Sequence, residues 1–363
     1  MLDTDLTRLL HIRFPIIQAP MAGGPTTPTL VAAVSNAGGL GSLGAAYLAP
    51  EHLRSEIHKI RQLTDRPFGV NLFVPENPKE SKETISKMTN YLNKYRTKLG
   101  ISHNPSILKY QEEFQDQVQV ILEEKIPVFS FTFGIPSQSL LEEMKSRKIV
   151  VIGTATTVDE ARLLEQAGVD AIVAQGSESG GHRGTFLKDS SHSLIGTMAL
   201  VPQIVDQASI PVIASGGIMD GRGLVSSLVL GAAAVQMGTA FLACPESGAH
   251  RVYKQKVLLE HEDATEVTRA YSGKDARGIR TTFMNEMQHF PSTIPAFPIQ
   301  NAMTKDIRQA AAKANNSEYM SLWAGQGLRL ATDHPAETIV QLTVDQARKI
   351  LKEIASMNTF SKE

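Results

Sequence analysis

The chain has 363 residues, 42% of them hydrophobic and 20% charged, with a formal net charge of −1. That length accommodates one large domain or a large one with a smaller companion, and the near-neutral balance excludes a field that would gather nucleic acid or an anionic membrane surface. The single cysteine, Cys244, excludes an internal disulfide, no run of about 18 apolar residues offers a membrane span, and the first residues lack a signal-peptide core, so a cytoplasmic location is expected.

From the N-terminus, short apolar runs recur, most of them followed by a glycine-containing turn and a helical pattern. They fall at 16–23 (IIQAPMAG), 38–45 (GGLGSLGA), 68–74 (FGVNLFV), 127–134 (PVFSFTFG), 148–157 (KIVVIGTATT), 170–176 (DAIVAQG), 210–217 (IPVIASGG) and 232–241 (AAAVQMGTAF). Strands buried on both faces read as continuous apolar runs, and helices between them imply parallel crossovers. Eight such units over roughly 240 residues predict the α/β class and a closed (β/α)8 TIM barrel. An open doubly wound sheet usually carries GxGxxG after its first strand; this chain has PMAGG there.

Two segments fall outside the repeat. Residues 75–118 are polar and helix-compatible, and are expected to form an insertion after the third strand. Residues 245–335 mix YSGKDARGIR, FPSTIPAFPIQ and WAGQG with helical stretches, and are expected to form a smaller, mainly helical cap on the substrate side. The barrel then comprises 1–244 together with an amphipathic helix in 336–363 that returns to it.

A barrel of this kind does its chemistry at the C-terminal ends of its strands. SGGI (215–218) and QMGT (236–239) sit at the last two strands, where glycine amides and a hydroxyl hold a phosphate without a cationic side chain. Asn71 and Gln175 offer amide groups to a planar heterocycle, and Met21 offers a soft thioether beside a ring. The strand ends are short of charge, which suits a cofactor that carries the redox chemistry, and the pattern suits FMN. The loop GSESGGHRGTF (176–186) places His182 among glycines that would let a ligand approach the main chain. An imidazole there suits proton abstraction near neutral pH. Glu178 reads either as a second base or as a solvated loop carboxylate, and Arg183 as a residue facing either an anion or water. The spacing of His, Cys and acidic residues gives no metal motif.

Taken together, QAPMAGG, LVAAVSNAGGLGSLGA, FGVNLFVP, ESGGHRGTF, PVIASGGI and AAAVQMGTAF resemble the nitronate monooxygenase family, formerly 2-nitropropane dioxygenases, in its class I-like form, from about residue 10 to about 330. The resemblance implies non-covalent FMN and oxidation of an alkyl nitronate by O₂, through a flavin semiquinone, to a carbonyl compound and nitrite. It suggests propionate 3-nitronate as substrate and detoxification as the role. The family's FMN contacts fall on Met21, Asn71, Gln175, Gly180, Gly217, Gln236, Met237, Gly238 and Thr239, and its catalytic histidine on His182. The implied partners are a small nitronate or nitroalkane and O₂; a monomer and a homodimer are both compatible with the sequence.

Flavin-dependent enoyl-ACP reductases, which use NADH, share the AVSNAGGLG and GGH patterns, and an NADH:quinone reductase is a further alternative. In the enoyl reductases GGH runs almost directly into TTMxLVPQ. Here RGTFLKDSSHSLIG separates GGH from TMALVPQI, which favours the nitronate reading. A non-catalytic flavin or phosphate binder is the alternative outside enzymes.

Overall fold

The protein is described here by a computed structural model covering residues 2–357. Its strands are β1 (Ile16–Gln18), β2 (Gly41–Gly44), β3 (Phe68–Phe73), β4 (Val128–Thr132), β5 (Val150–Ala155), β6 (Ala171–Gln175), β7 (Gly181–His182), β8 (Val212–Ser215), β9 (Ala234–Met237), β10 (Thr265–Thr268) and β11 (Ala276–Ile279). Eight of them form one parallel sheet in the order β1-β9-β8-β6-β5-β4-β3-β2. The ends of this sheet meet. Ile17 pairs with Leu40, the residue before β2, the Gln18 amide donates to the Leu40 carbonyl at 2.9 Å, and the Leu40 amide donates to the Ile16 carbonyl at 2.9 Å. The result is a TIM barrel with helices packed around it.

Strand periodicity decides what faces the barrel axis. In β6, Ile172 and Ala174 join the core between barrel and helices, whereas Ala171 and Val173 join the core inside the barrel. In β9, Ala234 points inward and Val235 outward; in β8, Ile213 points inward and Val212 and Ala214 outward. Both faces are apolar, which is why the runs show no alternation in sequence. The helix Asp5–Leu10 closes the bottom: Leu6 and Leu10 are buried with Ile17, Val128, Ile152 and Ile213. Near the top of each strand the inward positions become polar or small, and there the site begins.

A second core lies over the strand ends. It gathers Tyr253, Val257, Tyr271, Phe283, Met303, Ile307 and Leu322 from the segment after β9, and also Met88, Leu92 and Tyr95 from the helix Lys82–Lys98 after β3. The polar stretch after β3 thus supplies a helix to the cap core. The next helix, Phe114–Glu123, packs Val118, Ile121 and Leu122 into the barrel core, so the extra polypeptide after β3 ends at residue 113 rather than 118. The segment after β9 also carries strands: β10 and β11 form an antiparallel pair, and β7, from the glycine-rich loop, adds to it with His182 opposite Ala276.

The helix Ala336–Met357 returns to the barrel and packs on the helices Gly221–Val229 and Pro28–Asn36. Its buried stripe, Ala336, Ile339, Val340, Thr343, Val344 and Ala347, follows the helical period. Gln346 accepts a hydrogen bond from the Gly221 amide at 2.8 Å, which fixes the register.

Candidate active site

A cavity of about 850 Å³ opens at the C-terminal ends of the barrel strands, beneath the cap. The inward strand positions line it: Asn71 of β3, Ser130 and Thr132 of β4, Thr154 of β5, Gln175 of β6, Ser215 of β8 and Gln236 of β9. Such a volume lies in the upper part of the range of ligand pockets, roughly 300–1,000 Å³. Met21, Gly180, Gly217, Gly238, Thr239 and His182 also line it.

Met237 does not. The period of two that aims Gln236 into the cavity turns Met237 outward, where its side chain is buried in the core between barrel and helices. Its part near the site is played by the main chain, whose carbonyl accepts from the Ala19 amide at 2.8 Å and so anchors the turn before Met21.

Gln175 and Asn71 are already engaged. The Gln175 Nε2 donates to the His182 carbonyl at 3.0 Å, and its Oε1 accepts from the Gly184 amide at 2.8 Å. This amide therefore staples the loop back onto the strand that launched it. The Asn71 Nδ2 donates to Ser130 Oγ at 2.9 Å, leaving Oδ1 to a ligand.

The glycine-rich loop is tighter than its sequence implies. A Cβ on Gly180 would lie 2.5 Å from the Ala324 carbonyl carbon and the Gly325 nitrogen, so this glycine serves a close approach within the chain itself. Arg183 is fully buried: its Nη1 donates to the Gly176 carbonyl at 2.6 Å, and its Nη2 to the carbonyls of Gln175 at 3.0 Å and Ser193 at 2.9 Å. It faces neither water nor a ligand. The carboxylate of Glu178 is likewise occupied, accepting from the amide of Thr197 at 2.9 Å and from its hydroxyl at 2.8 Å. It caps the helix Thr197–Val205 and packs under Gly217.

His182 stands apart from these staples. Its ring is enclosed by those of Phe73, Phe133, Phe297 and Trp323, at centroid separations of 6.1, 5.8, 5.8 and 5.5 Å. Its Nε2 is buried without a hydrogen-bond partner. Burial, and secondarily the charges of Lys274 and Arg308, push its pKa from 6.5 down to about 3, so the imidazole is neutral at pH 7. The aromatic residues that make this box lie on β3, after β4, and in the cap; their spacing in sequence gives no hint that they converge.

Two further polar atoms on the cavity wall, Tyr47 Oη and Ser179 Oγ, are buried without partners. A buried polar atom left unsatisfied costs about 1–3 kcal/mol, which makes such a cluster the mark of a ligand site. On the same cavity wall, close to Ser179, Gly216 and Gly217 have φ of 126° and 69°. This turn leaves the amides of Gly217 and Ile218 without acceptors among the described residues. Thr239 lies beside it, its hydroxyl accepting from the Gly325 amide at 2.9 Å. The site thus combines a glycine turn with free amides, the side-chain amides of Asn71, Gln175 and Gln236, and an apolar box around a neutral imidazole. No group of three or more His, Cys, Asp or Glu that could hold a metal ion occurs among the described residues.

Comparison with known proteins places this geometry. The family model described as nitronate monooxygenase matches residues 3–345. A probable nitronate monooxygenase of Staphylococcus aureus (strain MSSA476) is 49% identical over 348 residues, covering 96% of this chain and 98% of that one. One from Staphylococcus haemolyticus is 48% identical over 351 residues, with the same coverage. Among solved structures, nitroalkane oxidase from Streptomyces ansochromogenes superposes with a TM-score of 0.90 at 36% identity, covering 96% of this chain and 99% of that one. FabK from Thermotoga maritima superposes with a TM-score of 0.78 at 34% identity, covering 98% and 100%.

Proposed function

The chain belongs to the nitronate monooxygenase family of oxidoreductases, and from that premise we propose that it oxidises small alkyl nitronates with O₂ to a carbonyl compound and nitrite, using non-covalently bound FMN. The carrying observation is His182, its Nε2 buried without a partner inside an aromatic box, on the wall of a cavity that also carries the Gly216–Gly217 turn with its free amides. Propionate 3-nitronate is the substrate we propose, and detoxification the role.

The wall fits a flavin mononucleotide. The free amides of Gly217 and Ile218 suit its phosphate, while Gln236, Gly238 and Thr239 line the same cavity. Asn71 Oδ1 offers an acceptor to a ring N–H, and Met21, Gln175 and Gly180 complete the wall. FMN, when bound, supplies one-electron chemistry toward the substrate and O₂ that no side chain here can perform.

The protein's own residues then have three tasks. The aromatic box and the cap exclude water from reactive species. Gln175 and Arg183 hold the loop so that His182 stays in the box. For a neutral nitroalkane, His182 takes the α-proton at Nε2; for a nitronate this step is already done.

The deciding experiment is to purify the protein, record its visible flavin spectrum, and follow O₂ uptake and nitrite release with propionate 3-nitronate in the absence of NADH. Turnover without NADH is expected. Absence of turnover, with flavin bleached by NADH, would instead assign it as an enoyl-ACP or quinone reductase.

The phosphate turn carries its own prediction. A Cβ on Gly216 would fall 2.6 Å from Thr197 Oγ1 and 3.0 Å from Ser179 Oγ, at a φ that L-residues rarely adopt. Strain of about 1–3 kcal/mol predicts that Gly216→Ala weakens FMN binding by roughly 10- to 100-fold, read from the flavin-to-protein absorbance ratio and a flavin titration. Full retention of flavin would remove this turn from the cofactor site.

A further inference from the structure

We propose that Arg308 and Tyr47, which line the same cavity, hold the planar two-oxygen anion of the substrate, either the nitronate group itself or a carboxylate on the same small molecule. This rests on the nitronate reading above and names the residues that recognise the substrate's charge.

Arg308 lies on the helix Lys305–Lys313 of the cap and lines the cavity. One edge of its guanidinium is fixed: Nε donates to Thr304 Oγ1 at 3.3 Å, and Nη2 donates to the Asn301 carbonyl at 2.7 Å and to Asn301 Oδ1 at 3.0 Å. Its Nη1 has no partner, and no carboxylate lies within ion-pair distance of it among the described residues. The other cations near the site are used differently. Lys274 is paired with Glu76 at 2.6 Å and sits over the Phe133 ring at 4.5 Å, and Lys109 is paired with Glu112 at 2.8 Å. Lys305, on the first turn of the same helix, is exposed.

The Arg308 charge is desolvated, since burial pulls its pKa below the usual value. Tyr47 Oη, also without a partner, feels that charge: burial raises the phenol to about 12 and Arg308 opposes the rise. A half-buried guanidinium without a counter-ion is incompletely solvated, and an incoming anion offsets that cost. The free Nη1 can donate to one oxygen of a planar two-oxygen anion, and a phenol hydroxyl adds a second donor. The Arg308 field also reaches His182, whose pKa it lowers. Removing the α-proton of a nitroalkane creates an anion, so a fixed positive charge within range of the base favours the step that makes it.

The test compares the flavin-loaded wild type with Arg308→Gln and Arg308→Lys. Steady-state kinetics are measured with propionate 3-nitronate and with propyl 1-nitronate, which lacks a carboxylate. Calorimetry measures the Kd of succinate, a non-reacting two-carboxylate isostere of propionate 3-nitronate. Arg308→Gln is expected to raise KM for propionate 3-nitronate and the Kd of succinate at least tenfold, with Arg308→Lys between it and the wild type. A loss shared by propyl 1-nitronate assigns Arg308 to the nitronate group; a loss confined to the carboxylated substrate assigns it to the carboxylate. Unchanged KM and unchanged succinate binding in Arg308→Gln would overturn the proposal. If the wild type oxidises neither nitronate, the functional reading fails, while the succinate titration still decides whether Arg308 is an anion site.

Discussion

Replacing His182 by asparagine is expected to lower turnover of a neutral nitroalkane by about 10²- to 10⁴-fold, the usual worth of a general base, and turnover of a preformed nitronate by less than about tenfold. Asparagine keeps a polar group of similar reach but cannot take a proton at pH 7. Equal losses on nitroethane and ethyl nitronate would remove His182 from the proton-transfer role. The pH dependence follows from burial. His182 is held neutral until about pH 3 in the folded protein. The acid limb of kcat/KM for a nitroalkane is therefore expected well below the ordinary histidine value, and a limb near 6.5 would point to another base. The same shift links to stability. The unfolded chain takes up this proton near pH 6.5 and the folded chain only near pH 3. The His182 contribution to stability is therefore fully present above 6.5 and is lost as pH falls from there. Urea denaturation of wild type and His182→Asn across that window should show a shallower pH slope for the variant.

The barrel was legible because its strands are buried on both faces and each is followed by a turn, a pattern that survives without any tertiary information. The same period of two explains where the site residues could be read and where one could not. Asn71, Gln175 and Gln236 are polar residues at the ends of apolar runs, so their inward placement was visible, and they do line the cavity. Met237 sits one step from Gln236, and only the strand's register shows that its side chain faces the helices. The roles of Arg183 and Glu178 were hidden for a different reason. Both are charged residues in a glycine-rich loop, which suggests solvent, yet each is consumed by main-chain groups that a tight loop leaves unpaired. Nothing local in sequence announces that demand. The pairing of β7 with β11 and the convergence of Phe297, Trp323 and Arg308 over the strand ends arise from the cap's packing, between residues far apart in sequence.

Glu160 is the strongest case of such a hidden support, and Glu160→Gln is expected to destabilise the protein by about 1–3 kcal/mol. It lies in the first turn of the helix Val158–Ala167. In the fold it is fully buried. Its Oε2 accepts from the amide and the hydroxyl of Thr156, both at 2.7 Å, at the end of β5. Its Oε1 accepts from the Thr185 hydroxyl at 2.8 Å and from the amides of Phe186 at 2.7 Å and Leu187 at 3.1 Å. One carboxylate thus ties a barrel strand to the segment that begins three residues after His182. A glutamine presents an NH₂ where one of these oxygens stood; the threonine hydroxyls can turn to accept from it, but whichever way it turns at least one backbone amide loses its acceptor and faces another donor. Each such loss costs about 1–3 kcal/mol in a buried site. The melting temperature should fall, and a variant as stable as the wild type would refute the argument. A second readout separates support of the fold from support of the base. The anchored loop fixes where His182 sits, so Glu160→Gln should lose more activity on nitroethane than on ethyl nitronate at a temperature where it remains folded. An unchanged ratio between the two substrates would confine Glu160 to stability, because only the nitroalkane reaction depends on the position of a proton acceptor.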